Sequence, residues 1–280
     1  NFSSPLNFQP FILISVITSL ALIPILLTKK KPPTFKKIQA MTLKNLYHAS
    51  PFGMVSSFFY GTIQSALFTL LAVYATSMNF TILEISIVTF LLAISGSVAQ
   101  FPVGKISDMY DRRRVIIFST FASSIFAILS IMVSGQMYLP DGLATSKTWF
   151  YIFFILFSFC SLPMFSLILA HTNDYIPKEK FVAAGAGLQF LFGLGAMSGP
   201  FLCSIFMDLV GSNGFFIFLA FFHSIIGFFG IYRMKVRKTV DNPDSQFVAM
   251  PQTITPAGIE LNPTTEPIDE PIKDQNKSMG

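Results

Sequence analysis

A short stretch of the chain brings charged residues of both signs close together. It runs from Gly104 to Arg114 and reads Gly-Lys-Ile-Ser-Asp-Met-Tyr-Asp-Arg-Arg-Arg. Asp108 can accept hydrogen bonds from N–H groups at a helix N-terminus, where the helix dipole favours negative charge. Arg112 and Arg113 can pair with carboxylates or with the last carbonyl groups of a helix. Such ion pairs can latch two helical bundles together; the simpler alternative is that Asp108 caps a helix and the arginines only set topology.

Other reactive side chains are scattered along the sequence. His48, His171 and His223 are far apart, and Cys160 and Cys203 fall in different apolar segments. No nucleophile, base and orienting group occur together, so we expect no catalytic residues and no enzyme. No cysteine and histidine cluster has the spacing of metal ligands, and we expect neither a metal nor another cofactor.

The composition indicates a membrane protein. Hydrophobic residues make up 52% of the chain and charged residues only 12%, whereas a soluble domain has about 25% charged residues. The net charge is +5, which can indicate either nucleic-acid binding or a membrane protein with basic residues on one side. The positions of the basic residues decide between these two classes.

The hydropathy pattern predicts seven membrane-spanning helices. A spanning helix needs about 20 mostly apolar residues. Of the 19 Lys and Arg residues, all except Lys147 lie in alternate connections or in the C-terminal tail. Because Lys and Arg are enriched in cytoplasmic loops, we expect an external N-terminus, a cytoplasmic C-terminus and no nucleic-acid partner. The seven predicted runs are Phe11–Thr28, Phe52–Thr76, Ile82–Pro102, Val115–Ser134, Trp149–Ala170, Phe181–Val210 and Phe215–Tyr232.

The charged stretch resembles the signature loop of the major facilitator superfamily, which has a Gly, then Ser/Ala-Asp, then a basic pair. The matching residues are Gly104, Ser107, Asp108, Asp111, Arg112 and Arg113. The segments Leu46–Gly61 and Ala170–Asp174, with Pro177 and the glycines from Gly185 to Gly199, resemble the YcaD-like bacterial branch of that superfamily.

The resemblance implies a division of the chain. Such proteins have twelve helices in two halves, and the signature loop follows the second helix of a half. The first run then corresponds to family helix six and the other runs to helices seven to twelve. Residues 1–28 are predicted to be the first transmembrane helix, 29–50 a basic cytoplasmic loop, 51–233 a six-helix bundle, and 234–280 a disordered cytoplasmic tail. The fold class is therefore all-α, the C-terminal half of a major facilitator fold with one preceding helix.

The resemblance also implies a missing structural partner. Family helices one to five are absent, and family helices eight and eleven, the third and sixth runs here, pack against the other half. The second run is expected to line the cavity. Its polar and aromatic residues at helical spacing are Ser57, Gly61, Gln64 and Phe68. A second interpretation is that Gln64 bonds to a neighbouring helix.

Small residues and a proline mark a further helix. Gly195 and Gly199 allow close helix packing, and Pro200 is expected to kink the same helix, as Pro24 and Pro163 are expected to do in theirs.

The sequence therefore predicts a secondary transporter in a bacterial inner membrane, which moves a small solute by alternating access. If transport is coupled to protons, the coupling acid is expected to be Glu84, Asp208 or a residue of the missing half. The alternatives are a seven-helix receptor and a truncated membrane protein that does not transport.

Overall fold

Helices account for all the regular secondary structure in the part of the chain that the structure describes. The computed structural model describes residues 8–23, 27, 41–136, 143–236, 247 and 249. Residues 1–37 and 38–280 form two separate units. The first unit contains helix α1 (Gln9–Ala21), and the second contains the remaining helices.

The second unit is a bundle of long apolar helices. Within the described residues, six stretches are long and apolar enough to cross a membrane, and α6 and α7 together supply one of them. The prediction of an all-α, polytopic membrane protein is confirmed. The helices are α2 (Leu43–Ala49), α3 (Pro51–Ser77), α4 (Ile82–Met109), α5 (Arg112–Gln136), α6 (Leu143–Ser161), α7 (Met164–Asn173), α8 (Phe181–Val210) and α9 (Gly214–Val236).

Three predicted segments differ from the described helices or extend beyond them. Helix α1 has 13 residues, fewer than a span requires, and most of residues 22–28 lie outside the described part. The end of the predicted loop 29–50 forms the short helix α2. Of the predicted tail 234–280, residues 234–236 complete α9, and Phe247 and Ala249 are the only other described residues.

Local sequence explains where the helices of the bundle begin. Ser50 precedes α3 and accepts a hydrogen bond from the Gly53 backbone N–H at 3.2 Å, and Pro51 occupies the first helical position. Helix α4 begins with a capping box between Thr81 and Glu84. In both cases a hydroxyl group satisfies a backbone donor that the first turn leaves without a helical partner.

Prolines affect the helices in two ways. Pro163 separates α6 from α7, as its missing N–H group and fixed φ lead one to expect. Pro102 and Pro200 lie inside α4 and α8, which continue past them. Pro24 lies outside the described residues.

Aromatic rings fill the centre of the bundle. Tyr74 of α3 is fully buried. Its ring stacks on Phe215 with centroids 5.2 Å apart, meets Phe216 edge-on at 5.0 Å and lies 6.2 Å from Phe150. These contacts join α3, α6 and α9, and the most extensive helix contact joins α3 to α8. The rigid interior positions the helix ends that carry the charged residues.

Candidate functional site: an arginine cluster at one end of the bundle

Ion pairs tie together three helices at one end of the bundle. The ends of α4 and α7 and the beginning of α5 meet there. We call this set the arginine cluster, and its members are Asp108, Asp111, Arg112, Arg113 and Asp174.

Arg112 is the centre of the cluster. Its side chain is only 7% exposed and pairs with Asp108 at 2.8 Å. The same guanidinium group pairs with Asp174 and donates to the carbonyl oxygen of Ala170 at 3.2 Å. A buried charge is stable only when its hydrogen-bonding capacity is satisfied. Arg112 therefore joins the end of α4 to the end of α7 through contacts that depend on one another.

Arg113 forms a separate pair with Asp111. Its Nη2 atom lies 3.0 Å from Asp111 Oδ2, and the side chain is 5% exposed. Asp111 Oδ1 also accepts from the Arg113 backbone N–H at 3.0 Å. Asp111 thus holds the first turn of α5, where a negative charge faces the positive end of the helix dipole.

The prediction that the stretch Gly104–Arg114 forms a loop is wrong for its first half. Helix α4 continues to Met109, so Gly104, Ser107 and Asp108 are helical, and only Tyr110 and Asp111 connect α4 to α5. The apolar composition ends near Pro102, but a helix does not need to end where its lipid contact ends. Asp108 lies at the end of α4, and Asp111 holds the first turn of the next helix.

The two other stretches of the family resemblance lie beside the cluster. Ser50 Oγ is 3.4 Å from Thr172 Oγ1, and the Phe52 ring meets His171 edge-on at 5.3 Å. A Cβ atom on Gly53 would lie 2.1 Å from Thr172 Oγ1. The start of α3 and the end of α7 are therefore packed together, and Asp174 follows directly. Sequence reasoning did not identify Asp174 as a partner of Arg112, because the pair is 62 residues apart.

A residue from the predicted tail covers one side of the cluster. The backbone N–H of Phe247 donates to Asp108 Oδ1 at 2.8 Å. A Cβ atom on Gly104 would lie 2.3 Å from Cδ1 of the Phe247 ring. Gly104 therefore gives the ring room to lie against α4. No feature of the sequence around Phe247 indicated this contact.

The opposite end of the bundle has a simpler ion pair. Lys147 Nζ lies 2.6 Å from Glu84 Oε1 and 5.3 Å from the centre of the Phe80 ring. The other carboxylate oxygen of Glu84 accepts from the Thr81 backbone N–H at 2.8 Å. Glu84, a candidate coupling acid in the sequence, is thus engaged in a helix cap and an ion pair. The second candidate, Asp208, is exposed on α8.

The residues predicted to line a cavity lie in different environments. Ser57 is fully buried and donates to the Leu188 carbonyl oxygen at 2.7 Å. A Cβ atom on Gly61 would lie 2.0 Å from the Phe192 carbonyl oxygen. Gln64 is buried, whereas Phe68 is 53% exposed. Ser57 and Gly61 therefore belong to the contact between α3 and α8 in this bundle.

The glycines of α8 lie in the same helix contact. A Cβ atom on Gly195 would lie 1.9 Å from the Phe58 carbonyl oxygen, and one on Gly199 would lie 2.2 Å from that of Thr62. The backbones of α3 and α8 approach so closely that only a hydrogen atom fits at these positions. Pro200 is the next residue and lies within the continuous helix.

A polar contact lies in the interior between α6 and α9. His223 is fully buried, and its Nδ1 atom lies 2.7 Å from the Leu219 carbonyl oxygen. A carbonyl oxygen can only accept, so Nδ1 carries the hydrogen and a neutral ring accepts at Nε2 from the Ser161 hydroxyl at 2.9 Å. His223 thus joins α9 to α6 as a neutral, hydrogen-bonded side chain. Among the described residues, no group of three His, Cys, Asp or Glu side chains can hold a metal ion.

These observations define a polytopic helical membrane protein with a paired charge cluster where its second and third long helices join. A sequence model of the Major Facilitator Superfamily matches residues 4–134 and 53–265 of the chain. The chain therefore belongs to the Major Facilitator Superfamily, a family of membrane transporters and not of enzymes.

Several relatives of the chain are described as uncharacterised MFS-type transporters. The chain is 25% identical over 186 residues to the MFS-type transporter YfkF of Bacillus subtilis, covering 64% of this chain and 44% of that protein. It is 24% identical over 190 residues to YE1530 of Yersinia enterocolitica, covering 68% and 44%. It is 27% identical over 177 residues to MJ1560 of Methanocaldococcus jannaschii, covering 63% and 42%. The chain spans less than half the length of these relatives. No solved structure matches it.

Proposed function

We propose that this chain is one bundle of a secondary active transporter, which moves a small solute by alternating access together with a second bundle. Each relative described above is named as an MFS-type transporter. The family favours this role over a seven-helix receptor.

The unequal burial of the long helices carries the proposal. In the span Lys178–Val210, which contains α8, only 17% of the 18-residue apolar segment is buried inside the bundle, and the share for α4 is 28%. In the other spans, between 44% and 67% of the corresponding segment is buried. By the family resemblance, these two helices are expected to pack against the other half. The least buried helices are therefore those expected to need a partner.

The outer face of α8 has the character of a helix contact surface. Its exposed apolar residues recur at helical spacing. They include Phe190, Leu194, Met197 and Phe201. In a bundle of two halves, this face lies against the second half, while Gly195 and Gly199 hold the opposite face of α8 on α3.

The arginine cluster is proposed to stabilise one state of the transport cycle. Of the three carboxylates in the arginine cluster, Asp108 is the most accessible, with a side chain 37% exposed. Its Oδ1 atom accepts from both Arg112 Nη2 and the backbone N–H of Phe247. A donor from the second bundle can replace that backbone N–H group. Closing and opening of this contact then changes the balance between inward- and outward-facing states.

We further propose that the protein lies in a bacterial inner membrane, with the arginine cluster on the cytoplasmic side. Nearly all basic residues of the bundle are at the cluster's end, whereas Lys147 is at the other. For proton coupling, Asp208 is the better candidate of the two acids, since Glu84 is already engaged by Lys147 and Thr81.

The test compares Asp108→Asn with the unchanged protein in cells that express the full reading frame. Uptake of a metabolite panel into membrane vesicles is measured by mass spectrometry, together with the amount of folded protein. We expect lower uptake of the transported solute with little loss of folded protein. Glu179→Asn is the control, since Glu179 is an exposed carboxylate at the same end of the bundle. Equal uptake by Asp108→Asn and the unchanged protein would exclude the proposed role of Asp108.

A further inference from the structure

The three consecutive arginines at the start of α5 do not share one environment. Arg112 and Arg113 are buried and paired with carboxylates. Arg114 is exposed, and no ion pair to it is found among the described residues. A third adjacent arginine is therefore available for a partner that the bundle does not supply.

Arg114 lies at the rim of an open groove between α5 and α9. The groove has a volume of about 720 Å³. Lys235, which is also exposed, is the second charged residue of the groove. The other lining residues are apolar, namely Ile117, Phe118, Phe121, Ile231 and Met234.

Two glycines of α9 allow its close contact with α5 beside the groove. A Cβ atom on Gly230 would lie 2.6 Å from Ile117 Cγ1, and one on Gly227 would lie 2.9 Å from the Phe121 ring. The helices therefore touch at these glycines. Phe118, on the lipid-accessible side of α5, is 73% exposed.

The position of the groove selects its occupant. Arg114 lies in the first turn of α5 and Lys235 in the last turn of α9, which are the ends of two membrane-spanning helices. The charged rim is thus at the depth of lipid headgroups, while the apolar part lies at the depth of the acyl chains. The positive end of the α5 dipole also faces this rim. Two cations above an apolar groove complement a phosphate headgroup attached to acyl chains.

We propose that the α5–α9 groove binds one anionic phospholipid, with its headgroup phosphate between Arg114 and Lys235 and its acyl chains against Phe118 and its neighbours. The site is distinct from the arginine cluster, because Arg112 and Arg113 face into the bundle. It does not depend on the identity of the transported solute.

Native mass spectrometry of the detergent-solubilised protein tests the site. Phosphatidylglycerol and phosphatidylcholine with identical acyl chains are added separately, and the bound fraction is measured over a concentration series. We expect tighter binding of phosphatidylglycerol. Arg114→Gln and Lys235→Gln should each weaken it about fivefold, with a smaller loss for phosphatidylcholine, whose choline cation offsets the charge of its phosphate. Lys105→Gln is the matched control, since Lys105 is an exposed cation of α4 outside the groove.

Two further arms separate a lipid from a free anion and test the acyl contacts. Phe118→Ala should weaken the binding of both lipids, and millimolar inorganic phosphate should not displace phosphatidylglycerol. The proposal is overturned if the two lipids bind equally, if Lys105→Gln weakens binding as much as Arg114→Gln, or if Phe118→Ala has no effect. Displacement by phosphate would also overturn it and would identify a small-anion site.

Discussion

The two ends of the bundle hold their charges in different ways. At one end, Arg112 and Arg113 have side chains only 7% and 5% exposed. At the other, Lys147 and Glu84 are 22% and 21% exposed. A buried guanidinium group without its carboxylates is costly, because neither water nor another group replaces them. A partly hydrated pair loses much less when one partner is removed. The arginine cluster therefore fixes how three helices meet, whereas the Glu84 pair links two helices weakly.

The largest expected effect is that of Arg112→Gln. It removes the cation that Asp108 and Asp174 share, and the Asp174 side chain is only 15% exposed. Breaking such a buried pair costs about 3–5 kcal/mol. The free energy of unfolding, measured by denaturant titration in detergent, should fall by that order. Arg114→Gln is the control and should leave it nearly unchanged. Equal losses for the two variants would contradict the contrast in burial.

The uncharged middle of the bundle provides a reference between the two ends. Gly195→Ala places a methyl group against the Phe58 backbone of α3 and should destabilise the protein by about 1–3 kcal/mol. Gly193 has nothing within 4 Å of an added Cβ atom. Gly193→Ala should therefore stabilise α8 slightly, since alanine is the better helix former. Thermal unfolding of both variants in detergent checks this, and a similar loss at Gly193 would refute the close contact.

The Glu84–Lys147 pair should have a smaller effect. A double-mutant cycle with Glu84→Gln and Lys147→Gln should give a coupling energy of about 0.2–1 kcal/mol, which decreases at high salt. Glutamine keeps the capping box with Thr81. The coupling energy therefore reports only the interaction between the two charges. A coupling energy as large as the loss in Arg112→Gln would remove the difference between the ends.

The smallest effect on stability is expected at Gly104. Gly104→Ala should displace the Phe247 ring without disturbing the ion pairs of the cluster. Chymotrypsin cleavage after Phe247 should become faster, while the unfolding temperature changes little. Phe247→Leu serves as a comparison that keeps the backbone N–H group bound to Asp108. If Gly104→Ala leaves the cleavage rate unchanged, the ring does not depend on Gly104 for its place.

The periodicity and composition of the sequence were enough to predict most of the helices. Long apolar runs between charged connections leave few alternatives, since a spanning helix satisfies its own backbone. The end of α4 was predicted too early because hydropathy reports contact with lipid, whereas Gly104–Met109 form a polar continuation of the helix. The division at Pro163 could be predicted because proline lacks the donor that a continuous helix needs.

The contacts of the site were less predictable than its residues. Arg112 and Asp108 were identified from their spacing, but Asp174 and Phe247 reach the cluster from distant parts of the sequence. Ser57 and Gly61 recur on one helical face, which fits a cavity wall as well as a close helix contact. Only the positions of Leu188 and Phe192 on α8 distinguish these two environments.

Oxygen accessibility of a spin label on α8 tests the central claim, that this bundle packs against a second one. The label is attached at Met197→Cys, on the exposed face of α8, and at Phe118→Cys, on the lipid-facing side of α5, with Cys160 and Cys203 replaced. In membranes that contain the product of the full reading frame, we expect low oxygen accessibility at position 197 and high accessibility at position 118. High accessibility at both positions would show that α8 faces lipid and would contradict the two-bundle account.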